Sequence, residues 1–181
     1  MDAALVEAYR NTLFEVDGPF GCFVLRVGQA SPELLRLYEV YGVDSAAHLT
    51  AFNPGSRRLS DTENRARQSQ MEAQLREQGY RLFSGAGHDA AGEWPSEPAV
   101  LVLGIAREQA CAVGEAFGQN AVVWCGGDTA ANLILINVCK LATSGAAIEL
   151  QSPEKRLLVR GLSNRSRTIA IKQTSRRSIG R

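Results

Sequence analysis

Apolar positions recur along this chain with two periods, and each change of period marks a change of element. Between Asp2 and Leu13 the residues Leu5, Ala8, Tyr9 and Thr12 fall on one side at helical spacing, which predicts a short helix ended by Gly18-Pro19. Phe20 to Val27 is rich in aromatic and β-branched residues and closes at Gly28, a strand pattern. Ser31-Pro32-Glu33 then supplies an N-cap, a proline at the first helical position and an early carboxylate, predicting a helix over Leu34 to Tyr41. His48 to Phe52 reads as a strand stopped by Asn53-Pro54-Gly55, because proline has no ladder donor and the glycine favours a turn. Ser60 and Glu63 form the S-x-x-E capping box of a long helix that runs to about Gln78, where Gly79 stops it.

Further on, Tyr80 to Ser84 predicts a short strand running into a glycine- and proline-rich loop from Gly85 to Ser96. Ala99 to Leu103 is uniformly apolar, as a strand buried on both faces must be. Arg107 to Phe117 follows as a helix stopped by Gly118, and Ala121 to Cys125 as another strand. Residues 46–125 thus read β-α-β-β-α-β, a ferredoxin-like core of an α+β fold, with an N-terminal strand and helix added and a C-terminal extension. The first and third strands of that order are central, which suits Ala99 to Leu103. Helices cover one face of such a sheet, so the second face needs the N-terminal segment or a second subunit, and a homo-oligomer is expected. The runs LILINV, AAIEL and RLLVRG after Gly126-Gly127 predict further short strands.

With 181 residues and 45% hydrophobic content, one core is expected. Charge is distributed unevenly. From Gln151 on there are nine cations against one anion, Glu154, so with +1 overall the first 150 residues carry −7 and the rest +8. This pattern divides the chain into a single α+β domain over 1–150 and a basic, flexible tail over 151–181. Nucleic-acid contact is conceivable only through that tail. No run approaches the roughly 18 apolar residues of a membrane span, and the first residues are acidic and polar where a secretory leader is basic and then apolar, so a cytoplasmic protein with no membrane partner is expected. Cys22, Cys111, Cys125 and Cys139 lie far apart and read as free thiols. Only His48 and His88 are present, with no C-x-x-C or H-x-x-x-H pair, so neither a metal nor a cofactor is expected.

The motifs Y-R-N-T-L-F at Tyr9 to Phe14, L-R-V-G at Leu25 to Gly28, T-A-F-N-P-G-S at Thr50 to Ser56, L-S-D-T-E-N-R at Leu59 to Arg65, W-P-S-E-P at Trp94 to Pro98 and G-Q-N-A-V-V-W at Gly118 to Trp124 follow one another in this order. Over residues 9–136 the chain resembles the bacterial family called domain of unknown function 3293, which brings no assigned reaction. A looser series is similar to phage enzymes that cleave S-adenosylmethionine, which have a ferredoxin-like fold and assemble as trimers. The matching positions are Thr50-Ala51-Phe52, Asn64 with Arg65 or Arg67, Glu97, and Gln119 to Val123.

The polar residues that do not look structural are Thr50, Asn53, Asn64, Arg67, Trp94, Glu97 and Gln119. Helical spacing back from Met71 and Leu75 reaches Gln68 or Arg67 and then Asn64, which puts polar groups on the sheet-facing side of the long helix beside Asn53. They either satisfy backbone groups of the turn or face a ligand. Either Trp94 caps the core and Glu97 is solvated, or the pair holds a cation by charge and by the indole face, which makes Glu97 the candidate catalytic group. His88 beside Asp89 on the glycine-rich loop reads as exposed and idle, and no nucleophile motif occurs. Two functions follow as expectations. The first is a site for a small nucleotide-like or sulfonium ligand, whose catalytic form is a lyase acting on S-adenosylmethionine or a related compound. The alternative is a binding or assembly module without chemistry that self-associates through the open sheet face.

Overall fold

The computed structural model describes residues 3–88 and 95–137. In chain order the elements are α1 (Ala3–Asn11), β1 (Leu13–Gly18), β2 (Gly21–Leu25), α2 (Pro32–Tyr41), β3 (Ala46–Leu49), α3 (Asp61–Glu77), β4 (Arg81–His88), β5 (Glu97–Leu103), α4 (Arg107–Ala116), β6 (Ala121–Cys125) and β7 (Ala131–Leu135). The strands form one antiparallel seven-stranded sheet in the order β2-β1-β4-β5-β3-β6-β7. Over 46–125 the order is the expected β-α-β-β-α-β, with β3 and β5 interior, and every residue of Ala99 to Leu103 is buried. These residues lie in a compact unit, Met1–Ile148; the second unit, Glu149–Arg181, where the basic tail was expected, lies outside the described residues. Among the described residues no helix is long and apolar enough to cross a membrane.

Strand alternation sends side chains to two cores. On one face, Ala47, Leu49, Val100, Val102 and Val122 pack against Met71 and Leu75 of α3 and against Ala110 and Cys111 of α4. On the other face, α2 inserts Leu34, Leu37 and Tyr38 among Val16 and Leu25 of the first hairpin and Val123, Cys125 and Ala131 of β6 and β7. A helix that touches strands near both edges sits inside a curl. The backbone agrees, because the chain leaving β2 meets the start of β7 through Gly28 N–H to the Ala131 carbonyl at 2.8 Å and bridges from Val27 to Ala131 and from Ala30 to Ala130. The second face is therefore covered from within the chain, and the reason for placing another subunit on it falls away.

Capping explains where the helices begin. Ser31 Oγ accepts from Leu34 N at the start of α2, and Ser60 and Glu63 make a reciprocal capping box at the start of α3. Ser60→Ala is expected to lower stability by about 1 kcal/mol, read as a drop in the urea midpoint at unchanged slope.

Three expectations are corrected. The N-terminal helix stops at Asn11, and Leu13–Gly18 is a strand, with Phe14 and Val16 turned inward and Glu15 and Asp17 outward. The supposed loop from Gly85 to Ser96 begins as strand, since β4 continues through Gly85, Gly87 and His88 in register with β5 and β1. Cys22 and Cys125 are free, but Cys111 is disulfide-bonded. The runs AAIEL and RLLVRG lie outside the described residues.

Candidate functional site

The inner rows of β3, β5 and β6 are longer than α2. Ala46, Leu101, Leu103 and Cys125 meet the helix, whereas His48, Thr50, Ala99, Glu97 and Ala121 continue the same rows beyond it. The half of the inner face that α2 leaves uncovered is a cavity of about 410 Å³, roofed by Leu5, Tyr9 and Thr12 and by the turn carrying Asn53, Ser56 and Arg58. Its deeper walls are apolar, with Phe14, Phe52, Val123 and Leu133. Mixed cavities of this kind, at the mouth of a curled sheet, are where small molecules bind.

Glu97 opens β5 and is held by Asn53, whose Nδ2 donates to Glu97 Oε1. Asn53 is itself fixed from three directions. Its backbone N–H donates to Asn64 Oδ1 at 2.9 Å, and its Oδ1 accepts from Asn64 Nδ2 at 2.9 Å and from Leu59 N at 3.0 Å. These bonds hold Asn53 in the left-handed region, φ 45°, which asparagine tolerates better than most residues. Among the described residues Glu97 Oε2 takes no hydrogen bond, and the carboxylate stands at the polar end of the cavity.

His48, 5% exposed, lines the cavity from β3. Its Nε2 lies 3.2 Å from the Glu15 carbonyl, which can only accept, so the proton is on Nε2 and the lone pair on Nδ1. Phe14 packs edge-on to the imidazole with ring centroids 5.2 Å apart. Burial holds the ring neutral and pushes its pKa down to about 4, which the bond to Glu15 only partly opposes.

A hydrogen-bond cluster at Tyr9 ties the roof down. Tyr9 of α1 shares a hydrogen bond with Ser56 Oγ at 2.9 Å, and Asn120 Nδ2 donates to both oxygens, at 3.2 and 2.9 Å. Ser56 has φ 58°, a left-handed backbone that a serine adopts only when its surroundings impose it. No residue of α1 is fully buried.

Of the residues expected from sequence, Thr50, Asn53, Glu97 and Gln119 converge on this cavity. Thr50 Oγ1 donates to the Pro98 carbonyl at 2.8 Å, and Gln119 Nε2 to the Phe52 carbonyl at 2.8 Å, which leaves the Gln119 carbonyl oxygen unspent. Asn64 and Arg67 stand behind the wall instead. Asn64 holds Asn53, and Arg67 donates to the backbone carbonyls of Ala51 and Phe117. Trp94 lies outside the described residues. Sequence reasoning missed Tyr9, His48 and Arg58; the alternation H-L-T in β3, which puts His48 on the same face as Thr50, was the available signal for the histidine. His88 stands on β4 and not on a loop, with Nε2 3.3 Å from Glu15 Oε2, an ion pair only when the imidazole is protonated. Glu15, Asp17 and Cys22 gather there on the outer face. Exposed acidic groups commonly gather this way without an ion.

No curated protein and no solved structure matches the chain. A family model does, over a narrower stretch than the resemblance read from motifs. Residues 49–122, which carry Thr50, Asn53, Glu97 and Gln119, match the model of the family described as Protein of unknown function (DUF3293).

Proposed function

We propose that this protein binds a small molecule bearing a cationic group, set against Glu97 in the cavity beneath α1. The observation that carries the reading is a carboxylate, oriented by Asn53 and with one oxygen unbonded among the described residues, at the polar end of an otherwise largely apolar cavity of about 410 Å³. A volume of that order suits a ligand of nucleoside size. An ionised carboxylate beside apolar walls favours a cation that brings its own hydrogen-bond donors or soft positive charge.

The likeness to enzymes that cleave S-adenosylmethionine bears on the ligand more than on a reaction. Thr50, Phe52, Glu97 and Gln119 of the matching set line the cavity, while Asn64 and Arg67 are committed to the backbone behind it. The catalytic form of the reading is a lyase in which Glu97 touches the sulfonium ligand and helps by position and charge.

A thermal-shift screen with S-adenosylmethionine, adenosine and simple primary amines tests the proposal. A ligand at a hundredfold excess over its dissociation constant stabilises the fold by about 2.7 kcal/mol, a readily measured rise in Tm. Glu97→Gln keeps the shape and deletes the charge, so it should weaken a cationic ligand by about 1.5–3 kcal/mol, or roughly ten- to a hundredfold, in titration calorimetry. Equal affinity in parent and variant for every cation that binds would sink the reading.

A further inference from the structure

We propose that His48 is the inner specificity-determining residue of this cavity, accepting through Nδ1 a hydrogen bond from an uncharged O–H or N–H group at the far end of the ligand. The inference rests on the small-molecule reading and adds to it the chemistry of the ligand's second end.

His48 is 5% exposed, and its Nε2 proton is spent on the Glu15 carbonyl. Nδ1 has no partner among the described residues, and it is not sealed from the cavity, so a molecule there can reach its lone pair. Gly85 is what lets the ring lie there. A Cβ at that position would come within 3.3 Å of His48 Nε2, so the strand opposite the imidazole carries no side chain where the ring crosses it. The imidazole is thus a placed group, held by a carbonyl on one side and by the Phe14 edge on another, with its remaining capacity that of a neutral acceptor.

The two ends of the cavity ask for different things. His48 pairs with Leu101 in the β3–β5 register, and Glu97 lies four residues further along β5. That spacing is about 13 Å of strand, shortened by the reach of the two side chains. Between them the wall is Ala99, Phe14, Val123 and Leu133. A matching ligand carries an ammonium at the Glu97 end, an apolar or aromatic middle, and an uncharged donor at the His48 end. Arg58 and the spare amide N–H groups of Asn53 and Gln119 are left at the mouth for an oxygen of the ligand.

Tyramine is the simplest probe with these features in that order, and 2-phenylethylamine lacks only the inner hydroxyl. Calorimetry on the full chain should find tyramine bound about fivefold more tightly than 2-phenylethylamine, the ratio of one net neutral hydrogen bond. In His48→Phe, whose ring fills the same space and cannot accept, the ratio should fall to one. Equal binding of the two amines by the parent protein overturns the proposal, and that comparison does not depend on how well the variant folds. A fivefold ratio that survives in His48→Phe overturns it as well. Failure of both amines to bind also overturns it, while the broader small-molecule reading stands or falls separately on S-adenosylmethionine, adenosine and the Glu97→Gln comparison.

Discussion

Gly85→Ala should destabilise the fold by about 3 kcal/mol, the largest loss expected from adding a single methyl group to this chain. A Cβ built on Gly85 would lie 2.2 Å from the carbonyl oxygen of Glu15 and 3.3 Å from His48 Nε2. The first contact is with backbone, so no rotamer change relieves it; β1 must move away from β4, and the carbonyl that orders His48 moves with it. Gly85 does not have the positive φ of the turn glycines, so the requirement here is space. Gly87, two residues along the same strand, is the control. Its nearest neighbour would be Thr12 Cγ2 at 3.7 Å, an ordinary contact, and Gly87→Ala should stay within about 1 kcal/mol of the parent. Urea unfolding of the two variants decides it, and equal midpoints would mean that the close approach of β1 to β4 is not a feature of the folded protein.

Acid should weaken the fold through His48 by up to about 3 kcal/mol between pH 6.5 and pH 4. The folded protein keeps the imidazole neutral until about pH 4, whereas the unfolded chain takes up its proton near the ordinary value of 6.5. Between those two values the unfolded state binds the extra proton, so stability falls as pH falls and levels off once both states are protonated. His88 is the titratable group whose charge acts on it, lowering its pKa further, while Glu97 and exposed Arg58 lie at the other end of the cavity. His48→Phe removes the linkage, so the difference between parent and variant in unfolding free energy should change by that amount across the window. A parent and variant that lose stability in parallel from pH 6.5 to 4 would show that His48 protonates as easily folded as unfolded.

The middle of the chain was legible because its elements satisfy several local rules at once. Ser60 and Glu63 announce α3, and the uniform run from Ala99 to Leu103 announces an interior strand. Glu97, Thr50, Asn53 and Gln119 were legible as polar residues next to strand ends. The misreadings share a cause, which is that one residue type serves two physical ends. Gly85 and Gly87 resemble loop residues, yet they sit in a ladder where one is needed for room. Asn64 and Arg67 resemble ligand-binding groups, yet their bonds go to Asn53, Ala51 and Phe117. The alternation of β1 was masked by helical spacing that runs from Leu5 into Thr12. Tyr9, His48 and Arg58 belong to segments that meet only because the sheet curls, and no local pattern records a curl.

The fastening of α1 through Tyr9 has a kinetic consequence. Since Tyr9 ties this helix to Ser56 and Asn120 and none of its residues is fully buried, α1 can lift while both cores stay intact. Such an opening draws on the low end of the stability scale, far below global unfolding. If the cavity takes the ligand proposed above, that motion opens a second way to Glu97 and His48 besides the mouth at Arg58. A molecule that touches Leu5 and Tyr9 from below holds the helix down once inside, so tighter ligands differ from weaker ones mainly by leaving more slowly.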